Sequence, residues 1–384
     1  MRILHIIDSA GVYGAEKVLL SLATESVACG HDVIIGTIVA PGDGGDPLGD
    51  AAAEISIPHV RFAMNDGMDV AGLRMILQMI GDWKVQVVHT HGYKANILMA
   101  LVSRSGRLWI HVCTLHGWTS RSRWSRLAFY EAAERLLLRR SDAIVAVSEG
   151  IAERVLVPAL AERLTIIPNG IDSNRAVETL GLSSSAGHRR GATELLAVGR
   201  LGAEKGMDLV IRAVAQLRAD GENMALYIAG AGPERDRLRS LVDELSLTEH
   251  VRFLGYRTDV GELFQKADFF VLGSRTEGLP IVLLEAMAHG APVICTPVGD
   301  IPRVLDGGRC GWLANEVSAE AIAKAIRTAV SSPPEAIAGR VASALERVGS
   351  HYSSKSMAER YISTYATTIE RRLSPVPDRP RTGD

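Results

Sequence analysis

The sequence lacks paired cysteines, a charge excess and any long apolar run. Its four cysteines, Cys29, Cys113, Cys295 and Cys310, are scattered with no C-x-x-C pair. That spacing argues against a metal site or a disulfide framework and fits a reducing compartment. Lys plus Arg number 42 against 44 Asp plus Glu, so overall charge carries no information about nucleic acid. No stretch reaches the roughly 18 apolar residues of a membrane span. The apolar run at residues 3–7 is far too short for a signal peptide. A cytoplasmic protein is the expectation. No D-x-D string stands at a strand end, so a Mg²⁺-clamped diphosphate is not expected.

What is present is a repeated strand–helix pattern. A chain of 384 residues, at roughly 100–200 residues per domain, suggests two domains. In the first half, buried strands are expected at residues 3–7, 33–39, 85–89, 108–115, 143–147 and 164–167. A helix over 15–29 follows the first, with Val18, Leu19, Leu22 and Ala23 at helical spacing and Gly30 as its stop. Continuous apolar strands separated by helices mean a parallel sheet buried on both faces. A polar stretch at 173–190 reads as a linker. A second series then places strands at 195–198, 225–229, 251–254, 269–272 and 293–296. The expected architecture is α/β: an N-terminal domain over 1–174 and a C-terminal domain over 190–355, two doubly wound parallel sheets facing a central cleft. An amphipathic helix at 356–372 is expected to pack back on the first domain, and the proline-rich tail 374–384 to be disordered.

One segment concentrates candidate chemistry. Glu277-Gly278-Leu279-Pro280-Ile281-Val282-Leu283-Leu284-Glu285 follows the apolar strand at 269–272. Pro280 suits the first position of a helix, because its missing N–H has no partner to lose there. Glu285 then lies about 7–8 Å along that helix. The helix start offers free N–H groups and partial positive charge, an anion site suited to a diphosphate. The two carboxylates suit hydroxyl groups on either side of it. The plainer alternative is a helix-end charge at Glu277 and a solvated Glu285, although Glu285 is unusual in so apolar a helix.

Cations stand nearby in the pattern. Gly199-Arg200-Leu201-Gly202-Ala203-Glu204-Lys205-Gly206 follows the first strand of the second domain. Arg200 at the strand end and Lys205 before the next helix can reach the same mouth of the sheet. Fixed cations there stabilise a leaving diphosphate more in the transition state than in the ground state. As an isolated string it is equally a pair of surface cations.

Together these strings resemble the E-x7-E signature and cation loop of retaining glycosyltransferases with the GT-B fold, two Rossmann-like domains, and most closely glycosyltransferase family 4 (GT4). The resemblance covers about residues 1–372 and is strongest over 196–311. It implies that Glu277 contacts the donor sugar, that Glu285 binds the ribose, and that the backbone of Gly278, Leu279, Pro280, Ile281 and Val282 holds sugar and phosphate. It implies that Arg200 and Lys205 bind the diphosphate. Gly230, in Ile228-Ala229-Gly230-Ala231-Gly232, marks a close-approach turn, and Tyr256 ends a string that resembles the base-pocket segment.

On the N-terminal side, Gly11-Val12-Tyr13-Gly14-Ala15-Glu16 resembles the family's G-G-A-E loop under the donor phosphate, with its glycine doublet broken by Tyr13. His116, in Thr114-Leu115-His116-Gly117, matches a histidine that contacts the donor sugar or orients the acceptor. His89 and His91 read as structural or cleft-lining. The resemblance implies a retaining, metal-independent hexosyl transfer, catalysed by His116, Arg200, Lys205 and Glu277, from a UDP- or GDP-sugar with no further cofactor. The acceptor implied is a saccharide or a lipid-linked chain in surface polysaccharide or glycolipid synthesis.

The segment 104–140 is rich in arginine with interleaved aromatics. It reads either as a solvated helix face or as a surface meeting anionic lipid headgroups, on the inner face of the cell membrane, or a diphosphate-linked lipid acceptor. Nucleic acid is a poorer explanation, since no recognition motif accompanies the charge. Two rival readings stay open: a nucleotide-sugar 2-epimerase of the same architecture, and a non-catalytic nucleotide-sugar-binding protein.

Overall fold

In a computed structural model the described residues are 1–9, 11–42, 44–65, 67, 69–102, 104, 106–116, 126–155, 157–172 and 191–373. The linker at 173–190, the tail at 374–384 and residues 117–125 of the basic segment lie outside them.

Seven strands build the first sheet: β1 (Arg2–Asp8), β2 (Asp32–Val39), β3 (His59–Ala63), β4 (Val87–His91), β5 (Ile110–Leu115), β6 (Ala143–Ala146) and β7 (Leu164–Ile166). Their order is β3-β2-β1-β4-β5-β6-β7, and every pairing is parallel. Ile3, Leu4 and Ile6 of β1 are completely buried, as a strand covered by helices on both faces requires. Leu4, Ile6, Val88, Ile76 and Met99 share one apolar cluster on one face. His5 pairs with His89 across β1 and β4, so His5, His89 and His91 point to the opposite face.

Six strands build the second sheet: β8 (Thr193–Val198), β9 (Met224–Ala229), β10 (Val251–Gly255), β11 (Phe269–Leu272), β12 (Val293–Cys295) and β13 (Trp312–Leu313). Their order is β10-β9-β8-β11-β12-β13, again all parallel. Its core is aliphatic, with Leu195, Ala197, Val210, Ile211, Val214, Leu226, Ile228, Ile322 and Ile326 packed together.

The chain divides into two compact units, Met1–Pro168 with Lys355–Asp384, and Asn169–Ser354. The helix Ser354–Leu373 leaves the second unit and packs in the first. Tyr361 and Tyr365, one turn apart on it, are fully buried there. The Tyr361 hydroxyl lies 3.0 Å from Thr114 Oγ1, and Arg372 pairs with Asp142 at 2.9 Å.

Two local expectations are corrected and two strands are added to those expected. β4 runs over Val87–His91 and not 85–89, so both histidines belong to the strand. β3 and β13 escape a hydrophobic reading: β3 is an edge strand carrying His59 and Arg61, and β13 has two residues. Pro280 is the residue before the helix, which spans Ile281–Ala288, because its ψ of 115° is extended.

Candidate active site

In the second sheet the chain moves outward from β8 through β9 to β10, then crosses back and proceeds from β11 to β13. The switch point is therefore between β8 and β11, where loops at the carboxyl ends part and leave a crevice for ligands. The loop after β8 carries Arg200 and Lys205; the loop after β11 carries Glu277.

The two loops are stitched together. Lys205 Nζ donates to Glu277 Oε1 at 2.7 Å across 72 positions of sequence. Ser274 Oγ donates to the same oxygen at 2.7 Å. Arg275 forks onto both carboxylate oxygens of Asp208 at 2.6 Å each, and its backbone N–H donates to the Glu204 carbonyl at 2.8 Å. The Lys205 and Glu277 side chains are 20% and 9% exposed, so the pair is shielded but open on one side. Arg200 is 58% exposed and pairs with Glu204 at 2.7 Å. Burial, and secondly the charge of Glu277, pushes the Cys295 thiol up in pKa.

Close backbone approach shapes the same rim. Gly230 has φ 150°, and a Cβ there would fall 1.8 Å from the Gly199 carbonyl oxygen. No side chain fits between the loops after β8 and β9. Gly299 has φ 55°, and a Cβ would meet the Glu277 carbonyl oxygen at 2.2 Å. The Asp300 N–H donates to the Gly278 carbonyl at 3.0 Å. The helix Ile281–Ala288 begins after Pro280 with no side chain capping it. Leu279, Pro280 and Ile281 are buried, while Gly278, Val282 and Glu285 are half-buried. Tyr256, after β10, is 58% exposed. Thus the structure brings Lys205 and Glu277 into contact, sets Arg200 and Gly230 on loops from the same sheet end, and leaves Tyr256 open to solvent.

Gly14 and His116 belong to the first unit. Gly14 opens the helix Gly14–Ala28, and the Tyr13 N–H before it donates to Glu16 Oε2 at 3.1 Å. His116 follows β5 and is half-buried. Its Nε2 lies 3.1 Å from His91 Nδ1, and His91 Nε2 lies 3.1 Å from His5 Nδ1. His89 instead bonds Thr114 Oγ1 through Nε2 and the Tyr365 hydroxyl through Nδ1, both at 2.7 Å. Burial pushes His116 down to about 4 and His5 to about 3, and carries His89 and His91 well below the usual histidine range. All four rings are uncharged at neutral pH. Hydrophobic patterning alone missed His5, Tyr361 and Tyr365. The signal was there as a polar residue at one position of an otherwise apolar buried strand.

The basic segment is partly an internal structure. Arg107 is buried, pairs with Asp142 at 2.7 Å and lies 4.5 Å over the Trp109 ring. Arg104 joins the same carboxylate at 2.8 Å. Arg107 is therefore not free for a membrane. The helix Arg126–Leu137 does expose Phe129 and Leu136, at 72% and 74%. Among the described residues no helix is long and apolar enough to cross a membrane.

Comparison with known proteins gives the family. Residues 12–175 match the family model described as Glycosyltransferase Family 4, and residues 183–340 the one described as Glycosyl transferases group 1. The lipopolysaccharide core biosynthesis glycosyltransferase LpsE of Rhizobium meliloti is 30% identical over 322 residues, 83% of this chain and 86% of its own. WcaL of Salmonella typhimurium, whose name assigns it to colanic acid biosynthesis, is 28% identical over 254 residues, 63% of this chain. That match spans 60% of WcaL's length. The crystal structure of Anabaena HepE in complex with UDP has the same fold, with a TM-score of 0.78 at 21% identity over 96% of this chain and 100% of that one. With two family models matched in tandem along its length, the chain belongs to the group 1 glycosyltransferases and carries a family 4 domain at its N-terminal side.

Proposed function

We propose that this glycosyltransferase moves a hexosyl group from a UDP- or GDP-sugar, with retention of anomeric configuration, to a saccharide or lipid-linked acceptor. The observation that carries the reading is the shielded Lys205–Glu277 pair at the β8/β11 switch point, beside the uncapped start of the helix Ile281–Ala288. An ammonium has three donors, and Glu277 uses one. The others, with Arg200 and the helix start, suit a diphosphate that gains charge as the glycosidic bond breaks. The remaining oxygen of Glu277 suits a sugar hydroxyl, and Glu285 further along the helix suits the ribose.

A front-face route follows from this set. The leaving phosphate takes the acceptor proton while Lys205 and Arg200 hold its charge, and His116 serves the sugar or the acceptor. Cations in place of a metal make the reaction independent of Mg²⁺, and no further cofactor enters. The colanic acid and lipopolysaccharide assignments of the relatives support surface polysaccharide or glycolipid synthesis. UDP in HepE supports a nucleoside diphosphate donor. The exposed Phe129 and Leu136 support peripheral contact with the inner face of the membrane from the cytoplasm.

The test is product analysis by NMR with UDP- and GDP-sugars, with and without EDTA. Transfer with the donor's anomeric configuration is expected in both conditions. An inverted anomeric centre sinks retention, loss of transfer in EDTA sinks metal independence, and epimerised donor without acceptor favours the 2-epimerase.

A further inference from the structure

Three rings of the first unit form one hydrogen-bonded line: His5 Nδ1 to His91 Nε2, then His91 Nδ1 to His116 Nε2, each at 3.1 Å. A neutral imidazole has one N–H and one lone pair. In such a line every ring must therefore carry its proton on the same-named nitrogen. If that is Nδ1, His5 donates to His91, His91 donates to His116, and His116 presents Nδ1–H at the far end. If it is Nε2, the line runs inward and ends on an N–H at His5.

The inner end decides between them. His5 Nε2 is buried and has no hydrogen-bond partner among the described residues. A buried N–H without an acceptor is the rarer fault, as the statistics of backbone groups show, while an under-used lone pair is better tolerated. His116 Nδ1, at the outer end, has no partner among the described residues either, but His116 is only half-buried, where His5 is fully buried. We infer that His5 and His91 are positioning residues that fix the proton of His116 on Nδ1, so that His116 donates a hydrogen bond to a substrate oxygen and does not act as a base. This rests on the assignment of His116 to the sugar or acceptor above.

Two neighbours support the line. His89 packs on His91 with ring centroids 4.1 Å apart, yet spends both nitrogens on Thr114 and Tyr365 and so leaves the line intact. Burial keeps every ring from taking a second proton near pH 7, which would give two donors on one ring and break the direction. The nitrogens of His5, His89 and His91 also lie within 4.8 Å of one another, close enough for a metal ion. An ion there would have to displace one of the two ring bonds of His91 and either Thr114 or Tyr365.

The experiment is ¹⁵N NMR of protein labelled on histidine, at pH 7.5, with His116→Gln locating the His116 signal. His116 is expected in the Nδ1–H form. His5→Leu should turn it into a mixture of tautomers and lower kcat by about three- to tenfold, the effect of one ordinary hydrogen bond, with donor KM unchanged. His5→Asn, which keeps an N–H where Nδ1 stood, should restore both. An Nε2–H His116 in the unaltered protein overturns the inference, as does one equivalent of bound zinc or a His5→Leu spectrum like the unaltered one. The spectrum does not use turnover. An inactive enzyme with Nδ1–H on His116 would overturn the proposed reaction and leave the line standing.

Discussion

The two sheets have one strand order and opposite interiors. Counted within its own unit, each runs 3-2-1-4-5-6, with one extra strand at the edge of the first. The second is filled with aliphatic side chains, and its charged groups sit at the rim, on loops beyond the strand ends. The first carries His5, His89 and His91 inside the strands on one face, where Tyr361 and Tyr365 pack on His89, and His111 on the other face. Topology thus dictates where loops part and a ligand can enter. It does not dictate whether polar chemistry lies at the rim or is threaded through the core.

The largest expected effect tests the rim. Lys205→Ala should reduce kcat/KM by about 100- to 1,000-fold, the usual cost of losing one group that stabilises developing charge. Glu277 keeps Ser274 as a donor, so the melting temperature should move by only a few degrees. A loss of activity below tenfold would mean that the rim is not the reacting centre.

Next comes acid. His5 and His111 titrate near 3 in the fold because they are buried, against 6.5 when free. The unfolded chain therefore binds more protons between those values. Stability from these rings is complete above about pH 6.5 and is lost as pH falls toward 3, by about 1.4 kcal/mol per pH unit for each ring. Urea unfolding at pH 7.5, 6.0 and 5.0, followed by hydrogen exchange, should show the first unit losing protection before the second. Equal loss in both would erase the contrast.

A smaller effect is expected from Tyr365→Phe, which leaves His89 Nδ1 without its hydroxyl partner. A buried unsatisfied group costs about 1–3 kcal/mol, readable as a lower urea midpoint at unchanged slope. Smallest of all is Lys266→Ala in the second unit. Its pair with Glu262 is 66% and 65% exposed, and such pairs contribute about 0.3–0.5 kcal/mol. A shift as large as that of Tyr365→Phe would place surface charge on a level with the core network.

Much of this was legible in the sequence, for a physical reason. Parallel strands buried on both faces are continuous apolar runs, so β1, β2, β8, β9 and β11 announce themselves. β3 does not, because at an edge His59 and Arg61 are tolerated. The rim residues were legible as types at strand ends. Their partners were not: the Lys205–Glu277 contact spans 72 positions. The segment 104–140 shows the same limit, since an arginine string reads alike whether it meets water or, as with Arg104 and Arg107, converges on Asp142. Periodicity located the last helix but could not show that Tyr361 and Tyr365 would meet a sheet some 250 residues earlier in the chain, 247 positions for Tyr361 and Thr114.

That helix, Ser354–Leu373, also sets an order of events. The second unit is one continuous stretch of chain, Asn169–Ser354, whereas the first is closed by a segment that follows it. Domains fold as units while the chain is being made. The second unit can fold as soon as its own stretch is free, while the histidine face of the first waits for two tyrosines that come after that stretch. A chain stopped before residue 361 is therefore expected to keep the Lys205–Glu277 contact and to leave His89 without Tyr365.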